Sequence, residues 1–161
     1  MALGDIKLFR EPVFGGNGSV THQVAASATL INAGEPVTKA LGQQYVVPMA
    51  TNKPVVATDI FIGIAATTST NTASADGTVE VIPFIPGTTY IVSPKVAATW
   101  NTQAKYNALV GARVLMDLTS GVYTILATDG ATYGFVVEPL DVVKFPGKVA
   151  FTVRAGAMYT A

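Results

Sequence analysis

Turn-forming residues interrupt this chain at short intervals, and only short apolar runs fit between them. Gly34-Glu35-Pro36, Asp76-Gly77, Pro86-Gly87, Ser120-Gly121, Asp129-Gly130 and Pro146-Gly147 each break the sequence. Glycine supplies positive φ at no steric cost and proline presets a turn dihedral, so such clusters end one element before the next begins. The segments between them are rich in Val, Thr and Ile, which suit a pleated, half-buried surface. Strands are predicted over 20–31, 36–40, 44–49, 60–66, 78–84, 88–92, 112–118, 121–127, 132–138 and 148–154. Several alternate with period two. Val149, Phe151 and Val153 share one face, and Lys148, Thr152 and Arg154 the other, so one face is buried and one is wet. Only 101–109 reads as helical, opening on Asn101 as a cap and stopping before Gly111. Two turns are not stable alone, so this helix is a docked connector. The predicted fold class is all-β: small β-barrel or sandwich units with one short helix.

The chain also repeats itself. Ala57-Thr58-Asp59 recurs as Ala127-Thr128-Asp129, each followed by an aromatic residue and a glycine, in Phe61-Ile62-Gly63 and Tyr133-Gly134-Phe135. Thr78-Val79-Glu80-Val81 aligns with Lys148-Val149-Ala150-Phe151, also 70 residues on, and Gly34-Glu35-Pro36-Val37 with Gly111-Ala112-Arg113-Val114 at 77. The expected organisation is an N-terminal arm and glycine linker over 1–19, a first β unit over 20–94, a connector over 95–106 and a second β unit over 107–161. The arm carries Ile6, Leu8, Phe9, Arg10, Val13 and Phe14 ahead of Gly15-Gly16-Asn17-Gly18. That apolar content on a flexible tether predicts strand addition to a neighbouring subunit or shell protein, with those six residues as the contacts. The alternative is that the arm is the first strand of its own body.

Charge and composition narrow the function. The 161 residues hold 10 basic and 10 acidic side chains, so the basic surplus that displaces counterions from phosphates is missing and nucleic acid is not an expected partner. Half the residues are hydrophobic and 12% are charged, against ~25% charged in a usual soluble domain. A surface this poor in charge suits a subunit of an assembly, and a homo-oligomer is expected, with a trimer favoured. Asp5 and Lys7 stand where an export signal needs an apolar stretch, and no apolar run approaches a bilayer's width. Synthesis in the cytoplasm and no membrane partner are expected.

The sequence holds few of the residue combinations that bond chemistry needs. Without Cys there is no thiol nucleophile or thiolate zinc site. His22, the sole histidine, reads as solvated or structural beside the glycine linker. Asp59, Asp76, Asp117, Asp129 and Asp141 fall mostly at turns, where aspartate caps its own backbone. Trp100, Tyr90, Tyr106, Tyr123, Tyr133 and Tyr159 could form a sugar-stacking row or a core. No enzyme activity, cofactor or metal is expected.

Ala33-Gly34-Glu35-Pro36-Val37, then Ile60-Phe61-Ile62-Gly63-Ile64-Ala65-Ala66, a Thr/Asn/Ala-rich loop to Asp76-Gly77 and the strand 78–82 together resemble the small capsid decoration (cement) proteins of tailed bacteriophages. Leu109-Val110-Gly111-Ala112-Arg113-Val114-Leu115-Met116-Asp117-Leu118 and Pro146-Gly147-Lys148-Val149-Ala150-Phe151 resemble proteins found beside head genes in such phages. The resemblance implies a structural virion protein on the capsid surface, made in the host cytoplasm. Its implied partner is the major capsid protein, bound by a homo-oligomer with an arm that orders on the shell. Another virion component, such as a tail-tube, fibre or head-fibre subunit, is the alternative, followed by a carbohydrate-binding β domain.

Overall fold

The computed structural model describes residues 7–8, 18–84 and 87–157. In chain order the strands are β1 (Lys7–Leu8), β2 (Val20–Val24), β3 (Pro36–Ala40), β4 (Val47–Pro48), β5 (Asp59–Ala65), β6 (Gly77–Pro83) and β7 (Tyr90–Val92). The helix α1 (Gln103–Leu109) follows, then β8 (Arg113–Val114), β9 (Met116–Thr119), β10 (Val122–Ile125), β11 (Phe135–Glu138) and β12 (Val149–Val153). One sheet runs β2-β6-β5-β3-β4, another β1-β7-β12-β11-β8, and β9-β10 is a hairpin. Every pairing of named strands is antiparallel. The fold is all-β with one short helix among the described residues.

The two five-stranded sheets are built alike. An offset of 70 takes the pair Val20↔Val81 to Tyr90↔Phe151 and Thr21↔Glu80 to Ile91↔Ala150, so β2-β6 and β7-β12 share one register. Moving β5 by 72 and β6 by 70 takes Ala65↔Val81 to Val137↔Phe151. Moving β3 by 77 takes Val37↔Gly63 to Val114↔Phe135. Gly34 and Gly111, also 77 apart, hold positive φ (86° and 84°), where a Cβ would be strained. They donate to equivalent carbonyls, Ala65 at 2.7 Å and Val137 at 2.9 Å. The first sheet curls until its β2 and β4 ends meet, and in the second unit the β9-β10 hairpin, outside the five-stranded sheet, reaches the end of β7. Val46 N donates to Gln23 O at 3.0 Å in one unit, and Ile125 N to Ser93 O at 3.1 Å in the other.

Structure and sequence expectation differ in several places: the strand expected over 112–118 divides into β8 and β9, which lie in different sheets, and 44–49 forms only the two residues of β4. The strand expected over 20–31 ends at Val24, because the loop before β6 captures the backbone beyond it. Asn71 Nδ2 donates to the Ala25 and Ala28 carbonyls (3.2 and 2.9 Å), and Asp76 Oδ1 accepts from Ala26 N at 2.7 Å. The helix is capped by Thr102, whose hydroxyl accepts from Lys105 N, and not by Asn101. β7, inside the range drawn for the first unit, pairs with β12 and lies in the second unit's sheet. The Ala-Thr-Asp match at 70 is not the structural equivalence, since β5 and β11 align at 72. Asp59 starts β5, whereas Asp129 is held in a turn by Arg113.

Two cores result. The first unit closes on Val24, Ile31, Val37, Val46, Ile62, Val79 and Val81. The second, larger core gathers Tyr90, Phe135, Phe151, Trp100 and Tyr106 together with Met49 and Phe61 from the first half. Phe61 and Ile62 are neighbours on β5 and so point to opposite faces, yet both are buried. β5 is thus a wall shared by the two cores. Segment 49–56 straps the units together: Asn52 N donates to Met116 O, Met116 N to Lys53 O and Gly134 N to Pro54 O, all at 2.8–2.9 Å.

Tyr106 fixes the helix to the second sheet. Its buried hydroxyl donates to Glu138 O at 3.0 Å and accepts from Ala150 N at 2.8 Å; burial pushes its pKa up to about 12. Tyr106→Phe would leave both backbone groups unpaired in a dry site. Chemical denaturation should show a loss of about 2–4 kcal/mol, and a loss below about 0.5 kcal/mol would contradict this role.

Candidate interaction surface

Of the residues expected to contact a shell or subunit, Ile6, Phe9, Arg10, Val13 and Phe14 lie outside the described residues. Leu8 lies in β1, in register with Tyr90, and Lys7 with Ile91. The edge of β7 in this chain therefore receives a segment of the chain's own N-terminal region.

The charged side chains are mostly engaged within the body. Lys53 Nζ contacts Asp59 at 2.8 Å and Lys95 Nζ contacts Asp117 at 2.9 Å. Burial alone raises the Asp117 pKa, but Thr119, Lys95 and Thr51 more than offset it, leaving that carboxyl below its ordinary value. The Arg113 guanidinium holds Asp129 low. The Tyr45 hydroxyl and the Ala26 amide do the same for Asp76. Asp141 accepts from Val143 N and Lys144 N, the turn-capping use expected of it. Among the described residues no three His, Asp or Glu side chains gather around a common point.

The aromatic residues divide differently from a sugar-stacking row. Tyr90, Trp100, Tyr106 and Tyr123 are buried and contribute to the second core. Tyr90 stacks on Phe151 and Trp100 sits edge-on to Tyr106. Tyr133 is half-buried, and Tyr159 lies outside the described residues. The shallow depression beside the helix, lined by Gln103, Asn107, Pro139, Leu140 and Asp141, has a latch along its wall. Gln103 donates to Leu140 O and accepts from Val142 N.

Among its polar exposed residues the body also presents aliphatic side chains. Val20, Leu30, Leu41, Val47 and Ile82 of the first unit are exposed, as are Val96, Val110 and Val143. Leu41 is 62% exposed at the turn after β3. No family model, curated protein or solved structure matches the chain.

His22 stands in β2 opposite Val79. Burial and the nearby Lys39 depress its pKa, while Glu80 pulls weakly the other way. A depressed histidine is neutral in the folded state where the unfolded chain already binds a proton. Stability is therefore full above about pH 6.5 and falls as acid carries the pH down through the folded value. The melting temperature should drop between pH 7.5 and 5.5. His22→Gln should flatten that slope, since the carboxylates titrate lower. An unchanged slope in the variant would exclude His22 as its source.

Proposed function

We propose that this chain is a structural virion protein that decorates and stabilises a tailed-phage head by binding the major capsid protein, working as a homo-oligomer, with a trimer favoured. The observation that carries the reading is the exposed aliphatic set of the first unit, Val20, Leu30, Leu41, Val47 and Ile82, on a net-neutral chain with 12% charged residues. Isolated exposed aliphatics are ordinary, but five on one small unit of a charge-poor protein suit a surface that is covered in use. The resemblance of 33–90 to decoration proteins supports the same reading. Binding of this kind asks for shape and apolar area, not bond chemistry, and the role is non-enzymatic. The protein would be made in the host cytoplasm and reside on the capsid surface.

Mass spectrometry of purified virions tests the role, with copy number taken relative to the major shell protein. A stoichiometric amount on heads supports decoration. Presence only in tails or fibres would assign the chain to another virion component. On the surface itself, Leu41→Asp with Ile82→Asp should reduce co-sedimentation with emptied shells at least tenfold, about 1.4 kcal/mol. Both side chains are exposed, so melting should shift by no more than surface changes allow, within ~0.5 kcal/mol each. Unaltered shell binding would remove these two side chains from the contact.

A further inference from the structure

The internal repeat exposes a difference between two equivalent strand edges. β7 has β12 on one side and β1 on the other. Its counterpart β2 has β6 on one side; on the other, Val46 meets it at Gln23, and among the described residues no strand pairs with Val20 or Thr21 there. The parity of the backbone identifies the open groups. Val46 N donates to Gln23 O, so Gln23 and Thr21, two residues apart, turn their amide and carbonyl away from β6. Ser93 and Ile91 do the same in the second unit, where Ile91 lies opposite Lys7. Thr21 is the equivalent of Ile91, and Val20 of Tyr90. Tyr90, with Leu8 opposite, is 6% exposed, whereas Val20 is 48% exposed.

We propose that the outer edge of β2 is an acceptor for the N-terminal strand of a second copy of this chain. It would pair antiparallel, in the register seen on β7: Lys7 of the added strand opposite Thr21, Leu8 opposite Val20. That strand is already paired with the matching edge in the second unit. The β2 edge adds a charge that the β7 edge lacks. Thr21 lies opposite Glu80 and its hydroxyl donates to that carboxylate. An added Lys7 would therefore extend a Lys7–Thr21–Glu80 row across three strands. The equivalent row on the second unit is Lys7–Ile91–Ala150. Hydrogen bonds from Thr21 and Ser19 lower the pKa of the Glu80 carboxyl. Eleven residues separate β1 from β2, an extended reach of up to about 36–40 Å, enough to hand the strand to a neighbouring copy. An open edge with an exposed valine is a pairing template that a soluble protein otherwise blunts.

The test uses the full-length chain and a fluorescent peptide of its residues 3–12 as probe, with sedimentation of the unlabelled chain alongside. Thr21→Pro removes an amide that faces away from β6, a position where an edge strand tolerates proline, together with the hydroxyl that donates to Glu80. Glu80→Lys leaves the backbone intact and opposes Lys7. Both variants should keep a cooperative melt, bind the peptide at least tenfold more weakly than the parent and self-associate less. If Thr21→Pro does not fold, Glu80→Lys decides alone. Peptide affinity and self-association equal to the parent's in a folded variant would overturn the proposal, because the probe would then be acting elsewhere, including at β7. Absence of peptide binding by the parent would overturn it as well.

Discussion

Closure of each small unit is the constraint from which the rest of the architecture follows. A five-stranded sheet has two edges of unpaired amides and carbonyls. In the first unit one bond, Val46 to Gln23, brings the β4 and β2 ends together, and in the second the β9-β10 hairpin bonds to the end of β7 through Ile125 and Ser93. Curling that tightly needs strong twist and short strands, which is why turn residues come so often. It also leaves each interior only a few side chains wide. The first unit fills that space with valines and isoleucines. The second uses Tyr90, Phe135 and Phe151, whose rings meet at 4.8–5.8 Å in stacked and edge-on arrangements.

Neither unit is complete by itself. Phe61 belongs to a strand of the first sheet but lies 5.5 Å from Phe135 in the second core, and the strap at 49–56 supplies carbonyls and amides to both sides of Met116 and to Gly134. Burying both faces of β5 makes the pair of units cooperative. Withdrawing the wall would open two cores at once, the cost of which scales with the apolar area exposed.

Local signals in the sequence located most of the elements, though not their bounds: 20–31 ends at Val24 and 112–118 divides into β8 and β9. The breaks at Gly34, Asp76-Gly77, Ser120-Gly121 and Pro146-Gly147 bound the strands because turn chemistry is a property of a few adjacent residues. The short helix was legible for the same reason, although the cap moved one residue to Thr102. Non-local pairing was less accessible. Nothing in Tyr90-Ile91-Val92 says that it pairs with β12, 57 residues away in register at Val92↔Val149. The early end of β2 likewise depends on Asn71 and Asp76, more than 40 residues on. The repeat was visible through its glycines and Val-rich strands, but its most literal match, Ala-Thr-Asp, is a coincidence of turns two residues out of structural alignment. The β2 edge escaped notice because Thr21 and Ile91 share a backbone role and no side-chain chemistry. Only the pairing register brings them together.

The two units thus have one plan with different surfaces. The second unit has its β7 edge paired, its aromatic core covered and a helix latched across it through Tyr106 and Gln103. The first unit has Val20 and Ile82 near the ends of β2 and β6 and Leu41 and Val47 around the β3–β4 turn, all exposed. The shared plan lies in the common register of the two sheets. It does not explain the retained exposure, since drift at a solvated valine toward a polar residue costs little stability. Exposed aliphatics concentrated on one of two equivalent units fit a division of labour, in which the second unit supplies rigidity and the first supplies contact.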